Sequence, residues 1–217
     1  AVYYQDWLVE PEFPYVWRND KIAAGSGAHG DMNAHTVDLA RFLVGEITSV
    51  CGQEKVFIEK RKKEDGSTGT VTADDSMNFL ANFENGALGN FVATRFATGR
   101  KNFLRLEIFG SKGSVIFNLE RLNELEFHSN DEDNTVQGFR TIIVTENNHP
   151  YLNKWWPPGH IIGWEHTFIH EIGDFLLAVA ENKQLTPDFH DGYRCQQVLD
   201  AVSESAEKKQ WITIKTD

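Results

Sequence analysis

The feature that most constrains this fold is a succession of predicted β-strands between Ile47 and Val144. Short runs of β-branched and aromatic residues alternate there with turn residues, which is typical of antiparallel strands joined by hairpins. The strongest turn signal is Asn85-Gly86, between the predicted strands Ser76–Phe83 and Ala87–Phe96. A mostly antiparallel sheet is therefore expected at the centre of the molecule.

Both faces of that first hairpin are predicted to carry apolar side chains. Alternation about a two-residue turn assigns one face to Phe79, Phe83, Leu88 and Val92, and the other face to Leu80 and Phe91. A sheet that is apolar on both faces needs to be covered on both. Helices can cover one face, and a second subunit can cover the other.

Helices are predicted toward both ends of the chain, after a first strand around Val2–Leu8. One runs from about Asp31 to Val44, and two more, Trp164–Glu181 and Gly192–Lys209, precede a short last strand, Trp211–Ile214. Ideal helical spacing on the second helix gives a stripe that we expect to face the core: Trp164, Phe168, Ile172, Phe175 and Val179. The pattern indicates one α+β domain, an open, mostly antiparallel sheet with helices packed on one face.

Charge and composition argue against two classes of partner. The 217 residues include 21 Lys and Arg against 32 Asp and Glu, a formal net charge of −11, which repels nucleic-acid phosphates and anionic lipid. No apolar run approaches the length of a membrane span, and Cys51 and Cys195 form no pair motif. We expect a cytoplasmic chain that binds neither nucleic acid nor membrane. Because it begins with Ala and not Met, we also expect an excised fragment.

A glycine cluster precedes the first helix and matches the dinucleotide fingerprint literally, as Gly25-x-Gly27-x-x-Gly30. In that fingerprint an apolar strand runs directly into the glycines, so that they turn the chain beneath a pyrophosphate. The residues before this cluster, Trp17 to Ala24, do not resemble such a strand. A loop that leads into a helix is the favoured interpretation, and no cofactor-binding residue is assigned here.

Polar side chains share one side of the first helix. At ideal spacing Asp31, His35 and Asp38 fall on the same face as Phe42, beside an apolar stripe. Asp31 and His35 are four residues apart, which brings a carboxylate and an imidazole together on a regular helix. Two interpretations stay open at this point: a buried histidine that its own helix satisfies, or an acid/base group for proton transfer.

Other chemistry-bearing residues are less specific. His166 and His170 have helical metal-ligand spacing, but no third ligand accompanies them, and a solvent-facing pair is favoured over a metal-dependent hydrolase. His160 lies in the aromatic, proline-rich loop 155–160, which suits a sugar ring. Arg95 follows the first hairpin and suits an anionic group.

The first helix also carries a resemblance to a known family. The segment from Gly27 to Asp38 resembles the Gly-x-x-x-Asp-x-x-x-His-x-x-Asp signature of the glucose–fructose oxidoreductase/inositol dehydrogenase (Gfo/Idh/MocA) family. Shorter similarities extend along nearly the whole chain: Tyr4-Gln5-Asp6-Trp7-Leu8, Ile108-Phe109-Gly110-Ser111-Lys112-Gly113-Ser114, Gly163-Trp164, Asp174-Phe175 and Pro187-x-Phe189-x-Asp191-Gly192.

The resemblance implies that residues 1–217 are the C-terminal domain of a two-domain oxidoreductase, a domain similar to that of dihydrodipicolinate reductase, which binds substrate and forms a homo-oligomer through its sheet face. The family's N-terminal Rossmann domain, which binds NAD or NADP and supplies a lysine, has no counterpart in this sequence. By the resemblance His35 is the acid/base for a substrate hydroxyl, and Asp31 is its neighbour in the site. No metal is implied.

The implied substrate is a sugar, a sugar acid or a cyclitol. We assign substrate binding to polar and aromatic residues of the loops and strand ends: Gln5, Trp17, Arg18, Arg95 and His160. The fragment alone is expected to fold, to bind no nicotinamide cofactor tightly and to be inactive. The alternative is a non-catalytic module that binds a ligand or forms an oligomer.

Overall fold

The computed structural model describes residues 1–215 and contains two compact units. The first unit comprises Ala1–Leu104 and the segment from Phe189 onward, and the second comprises Arg105–Asp188. In chain order the elements are β1 (Val2–Tyr4), α1 (Lys21–Ala24), α2 (Ala34–Leu43), β2 (Ile47–Lys55), β3 (Lys60–Lys62), β4 (Thr68–Thr70), β5 (Ser76–Phe83), β6 (Leu88–Thr94), β7 (Phe103–Phe109), β8 (Gly113–Asn118), β9 (Glu124–Ser129), β10 (Arg140–Ile143), α3 (Trp164–Glu181), α4 (Phe189–Lys208) and β11 (Ile212–Thr213).

The first unit is a mixed sheet with two helices on one face. Its strand order is β1-β6-β5-β2-β11, in which β1 runs parallel to β6 and the other neighbours are antiparallel. Both α2 and α4 contribute to the same buried core as the sheet, through residues such as Val37 and Val202 against Val50 and Phe79. The predicted fold class, a mostly antiparallel sheet with helices, is confirmed.

The hairpin at Asn85-Gly86 is confirmed, but its turn is one residue longer than predicted. The amide of Phe83 donates to the carbonyl of Ala87, so three residues form the loop, with Gly86 at a φ of +86°. The extra residue shifts β6 by one position relative to the predicted pairing.

That shift exchanges the two faces of β6. Phe91 pairs directly with Phe79, and their rings stack 4.4 Å apart in the buried core. Leu88 lies on the opposite face and is 80% exposed. The prediction that separated Phe91 from Phe79 was therefore wrong, because it assumed a two-residue turn.

The second unit contains the antiparallel strands β7-β8-β9-β10 and the helix α3. The bounds of α3 agree with the prediction, but its apolar stripe does not face a core: Phe168, Phe175 and Val179 are 49%, 59% and 64% exposed. On the other side of the helix, Asp174 accepts a hydrogen bond from the Tyr151 hydroxyl. The prediction was wrong because it is the polar side of α3 that contacts the loop 151–155.

The ends of the chain are less regular than predicted. The first strand ends at Tyr4 and does not reach Leu8, and the last strand is confined to Ile212–Thr213. Neither α3 nor any other helix in the described part of the chain is long and apolar enough to span a membrane.

The corrected register predicts a large difference between two residues of β6. Phe91→Ala removes a stacked core ring, and we expect it to lower the free energy of unfolding by about 3–5 kcal/mol. Leu88→Ala, three positions earlier on the exposed face, is the matched control and should change it by less than ~0.5 kcal/mol at protein concentrations at which the chain is monomeric. Chemical denaturation of both variants measures the difference, and equal losses would contradict the register.

Candidate active site

The glycine cluster packs against one buried carboxylate. Asp74 accepts hydrogen bonds from the backbone amides of Gly27 at 2.6 Å and His29 at 2.8 Å, and its own carbonyl accepts from the amide of Ala28 at 2.9 Å. These amides lie at the N-terminal end of a helical segment, where backbone N–H groups lack helical partners and favour negative charge. Asp74 therefore anchors the start of this helix.

Two of the three glycines, Gly27 and Gly30, are closely packed against protein atoms. A Cβ atom on Gly27 would lie 1.7 Å from the carbonyl oxygen of Asp74, and one on Gly30 would lie 2.2 Å from the Oγ of Ser26. Since Asp74 takes the amides that a pyrophosphate would need, the cluster does not fit a dinucleotide. Its context also differs from the fingerprint, because the short helix α1 precedes it and no strand does.

The predicted helix from Asp31 to Val44 is divided. Residues His29–Asn33 form a π-helical turn, and the α-helix begins only at Ala34. A π turn is wider than an α turn, so the angles that aligned Asp31 with His35 do not apply across it. No hydrogen bond or ion pair between these two side chains is found among the described residues. The predicted contact was wrong, and Asp31 pairs with Arg95 instead.

A buried hydrogen-bond chain supports the π turn. The Nε2 of His29 lies 2.9 Å from the carbonyl oxygen of Leu199 on α4, and the side-chain Nδ2 of Asn33 lies 3.1 Å from the Nδ1 of His29. Because a carbonyl only accepts, the Nε2 carries the proton and the Nδ1 accepts from Asn33. Burial lowers the pKa of His29 from its ordinary value, which keeps the ring neutral.

Asp31 and His35 both reach the surface, with different supports. The imidazole of His35 lies beside the Tyr3 ring, with 5.8 Å between ring centroids. The carboxylate of Asp31 pairs with the guanidinium of Arg95, Nη2 to Oδ2, at 2.7 Å. Phe42, predicted on the same face, is 71% exposed, so this side of the helix faces outward and not into the core.

Alternate residues of β1 and of the segment after it form a hydrogen-bonded wall beside these groups. The Tyr3 hydroxyl and the side-chain Nε2 of Gln5 both donate to Oδ1 of Asn102, at 2.7 and 3.2 Å. The Trp7 indole in turn donates to Oε1 of Gln5 at 2.9 Å. Burial is the main cause that raises the pKa of Tyr3 above 10.0, so its hydroxyl keeps its proton. Of the residues assigned to substrate binding, Gln5 and Arg95 thus adjoin Asp31 and His35.

Sequence reasoning did not assign Tyr3 and Asn102 to the site. A signal for Tyr3 existed in the polar and aromatic alternation at positions 3, 5 and 7, which share one side of an extended chain. No local signal existed for Asn102, because its partners are nearly a hundred positions earlier.

Within the described residues, no hydrogen bond, ion pair or ring contact joins Trp17 or Arg18 to this group, and His160 lies in the other unit. The guanidinium of Arg18 stacks on the Trp17 ring at 4.5 Å in an exposed turn of the first unit. His160 belongs to the second unit, where its Nδ1 lies 2.7 Å from the carbonyl oxygen of Pro157. Their roles in substrate binding stay predictions.

A sequence profile described as the oxidoreductase family, C-terminal α/β domain, of the Gfo/Idh/MocA group matches residues 3–214. The chain belongs to this family.

Two similar proteins of this oxidoreductase family are named as dehydrogenases. Levoglucosan dehydrogenase of Pseudarthrobacter phenanthrenivorans is 39% identical over 99% of this chain and 58% of its own length. Inositol 2-dehydrogenase of Rhizobium meliloti is 27% identical over 94% of this chain and 54% of its own length. The chain therefore spans a little over half the length of these relatives.

Solved structures of the oxidoreductase family have the same fold. An oxidoreductase domain protein from Kribbella flavida is 47% identical, with a TM-score of 0.94 over 99% of this chain and 59% of that protein. Levoglucosan dehydrogenase in complex with NADH and levoglucosan is 40% identical, with a TM-score of 0.93 over 100% of this chain and 58% of that protein.

The histidine pair of α3 has a structural role in this member of the oxidoreductase family. The Trp155 indole donates to Nε2 of His170 at 2.7 Å, and the Trp155 ring packs against the His166 ring with 4.4 Å between centroids. The histidine pair was predicted to face solvent, but neither imidazole is fully exposed. Partial burial and the neighbouring His166 lower the pKa of His170. No group of three or more His, Cys, Asp or Glu that could hold a metal occurs within residues 1–215.

The contact between Gly27 and Asp74 generates a stability prediction. We expect Gly27→Ala to lower the free energy of unfolding by ~3 kcal/mol or more, because the new methyl group meets rigid backbone. Gly192→Ala in α4 is the matched control, since a Cβ there meets open space and should stabilise the helix slightly. Thermal melts of both variants test this, and an unchanged melting temperature for Gly27→Ala would contradict the packing.

Proposed function

We propose that this chain is the substrate-binding and catalytic half of an NAD(P)-dependent oxidoreductase that acts on a hydroxyl or carbonyl group of a sugar, a sugar acid or a cyclitol. The observation that carries the proposal is the pair of exposed polar groups, Asp31 and His35, beside a hydrogen-bonded wall in a member of this family. The relatives named for levoglucosan and inositol support the substrate class, since both compounds are polyhydroxylated rings.

Each residue has a role in this proposal. Oxidation of an alcohol removes a proton from the hydroxyl oxygen and a hydride from the carbon that bears this hydroxyl. In this proposal His35 accepts the proton. The neutral phenol of Tyr3 packs against the imidazole and limits its orientations. Asp31 accepts a hydrogen bond from a substrate hydroxyl through its exposed edge. A nicotinamide cofactor would supply the hydride acceptor, and no residue of this chain is assigned to hold it.

The wall of alternate residues suits a sugar ring. Trp7 offers an apolar face, and the amide groups of Gln5 and Asn102 are fixed by their mutual hydrogen bonds. A flat apolar surface with oriented amides at its edge complements the faces and hydroxyls of a pyranose or cyclitol. Trp17 and Arg18 are proposed as outer substrate contacts, and the substrate contact of His160 stays a prediction from the sequence.

A second proposal concerns assembly, and the exposed sheet face favours it. Leu80 and Leu88 are 48% and 80% exposed on the face of β5 and β6 that the helices leave uncovered. We propose that this face buries against a second copy of the chain, so that the protein is a homo-oligomer. Light scattering that finds a strict monomer at high micromolar concentration would contradict it.

The role of His35 is tested in the full-length protein. We expect His35→Ala to lower turnover of levoglucosan with NAD⁺ by about 10²-fold or more, the usual scale for the loss of a positioned acid/base. Cofactor affinity should hardly change, since His35 serves the substrate. His128→Ala, in the second unit, is the control and should keep wild-type turnover. If His35→Ala retains turnover within about twofold, below 1 kcal/mol of barrier, the histidine is structural.

The isolated chain is predicted to fold but to bind neither NAD nor NADP tightly. Its core is complete in the first unit, whereas the amides of its glycine cluster are taken by Asp74. Hydride transfer also requires the cofactor to be held close to the substrate carbon, so the isolated chain should be inactive. A cooperative melt without heat of cofactor binding in calorimetry is the expected result. Micromolar affinity would mean that the glycine cluster binds the dinucleotide after all.

A further inference from the structure

Arg95 is a buried cation whose carboxylate partner, Asp31, is partly exposed. Its side chain is 2% exposed, its guanidinium lies 5.1 Å from the centre of the Trp7 ring, and its Nη2 donates to Oδ2 of Asp31. Asp31 is the one carboxylate that pairs with it among the residues the structure describes, and the Nε of Arg95 is buried without a hydrogen-bond partner.

Other buried arginines of the first unit use their donors differently. Arg61 donates to three backbone carbonyls, those of Leu8, Glu10 and Phe13, and so fixes a loop. Arg41 grips the carboxylate of Glu46 with two nitrogens and the carbonyl of Asp191 with a third hydrogen bond. Both arrangements hold the fold together, whereas Arg95 directs its charge at a single carboxylate on the candidate site.

The ion pair is asymmetric in exposure. The Asp31 side chain is 44% exposed, while its partner is almost completely buried. A buried guanidinium is costly to desolvate, and one partly hydrated carboxylate offsets that cost poorly, so the pair is weak evidence for a role in stability. The ion pair fixes the orientation of the Asp31 carboxylate. Arg95 binds Oδ2 of Asp31 on the buried side, and the carboxylate remains partly exposed to solvent.

We propose that Arg95 is a positioning residue that orients Asp31 as the acceptor for a substrate hydroxyl, and that it does not touch the substrate itself. This inference rests on the proposed function and replaces the direct substrate contact predicted for Arg95. In this proposal Asp31, which is held by Arg95, and His35, which packs on Tyr3, bind different oxygens of the ligand. The site therefore selects ligands with at least two hydroxyl groups in a fixed relation.

A double-mutant cycle in the full-length protein tests the proposal, with levoglucosan, myo-inositol and NAD⁺ as the probes. We expect Arg95→Met to lower kcat/KM about 10²-fold, as misplacement of a binding group does. Arg95→Lys should recover part of the loss, since it keeps the charge but not the planar fork. In an Asp31→Asn background, Arg95→Met should change kcat/KM by less than about twofold, because Arg95 acts through Asp31.

Arg41→Lys is the matched control, since it alters a buried arginine that pairs with Glu46, away from Asp31. It should lower the melting temperature without changing kcat or KM. If Arg95→Met does not fold, the same cycle is run with Arg95→Lys.

Three outcomes overturn the inference. Losses that multiply in the Asp31→Asn background mean that Arg95 contacts the substrate. Losses that follow the melting temperature in both the Arg95 and Arg41 variants mean a purely structural role. A wild-type protein that oxidises neither levoglucosan nor myo-inositol contradicts the proposed function, and the inference with it, whereas an active wild type with multiplicative losses contradicts the inference alone.

Discussion

The local geometry of the site depends on the carboxylate of Asp74. It binds the amides of Gly27 and His29, and these hydrogen bonds hold the helical segment that carries Asp31. A neutral His29 then links that segment to the carbonyl of Leu199 on α4. All of these groups are buried, so each lost bond would leave an unpaired polar atom away from water. This cost fixes the position of the helical segment. Gly27 permits the close packing of this segment against Asp74.

Much of the fold could be predicted because its signals are local. A turn that contains Gly86 and runs of alternating residues indicate the hairpin, and the bounds of α3 follow from its periodicity. The faces of β6 could not be predicted, because a difference of one loop residue reverses the side on which Phe91 lies. The exposure of the apolar stripe on α3 could not be predicted either, since periodicity identifies an apolar side but not the element that packs on it.

The sequence proposes residues for the candidate site but does not predict how they are arranged. The signature indicates Asp31 and His35, but regular helical angles predict a contact between them that the π turn removes. That turn is supported by His29, whose partner on α4 is 170 positions away, so nothing in the neighbouring sequence reveals it. The hydrogen-bonded wall also depends on contacts between distant parts of the chain, because Tyr3 and Gln5 reach Asn102 only after the chain has folded.

The parallel pairing of β1 and β6 explains why the supports of the two polar groups lie side by side. Tyr3 pairs with Ala93 and Tyr4 with Thr94, and Arg95 directly follows the end of β6. The support of His35 and the support of Asp31 therefore come from neighbouring strands in a fixed register, and the spacing between them is set by the sheet. The amide of Arg95 donates to the carbonyl of Asp75, next to the residue that anchors the helix, which ties the cation to the same frame. A shift of one residue between β1 and β6 would turn the Tyr3 ring to the other face and remove the wall while leaving both polar groups on their helix. The one parallel pair of this unit is thus what joins the start of the chain to the site.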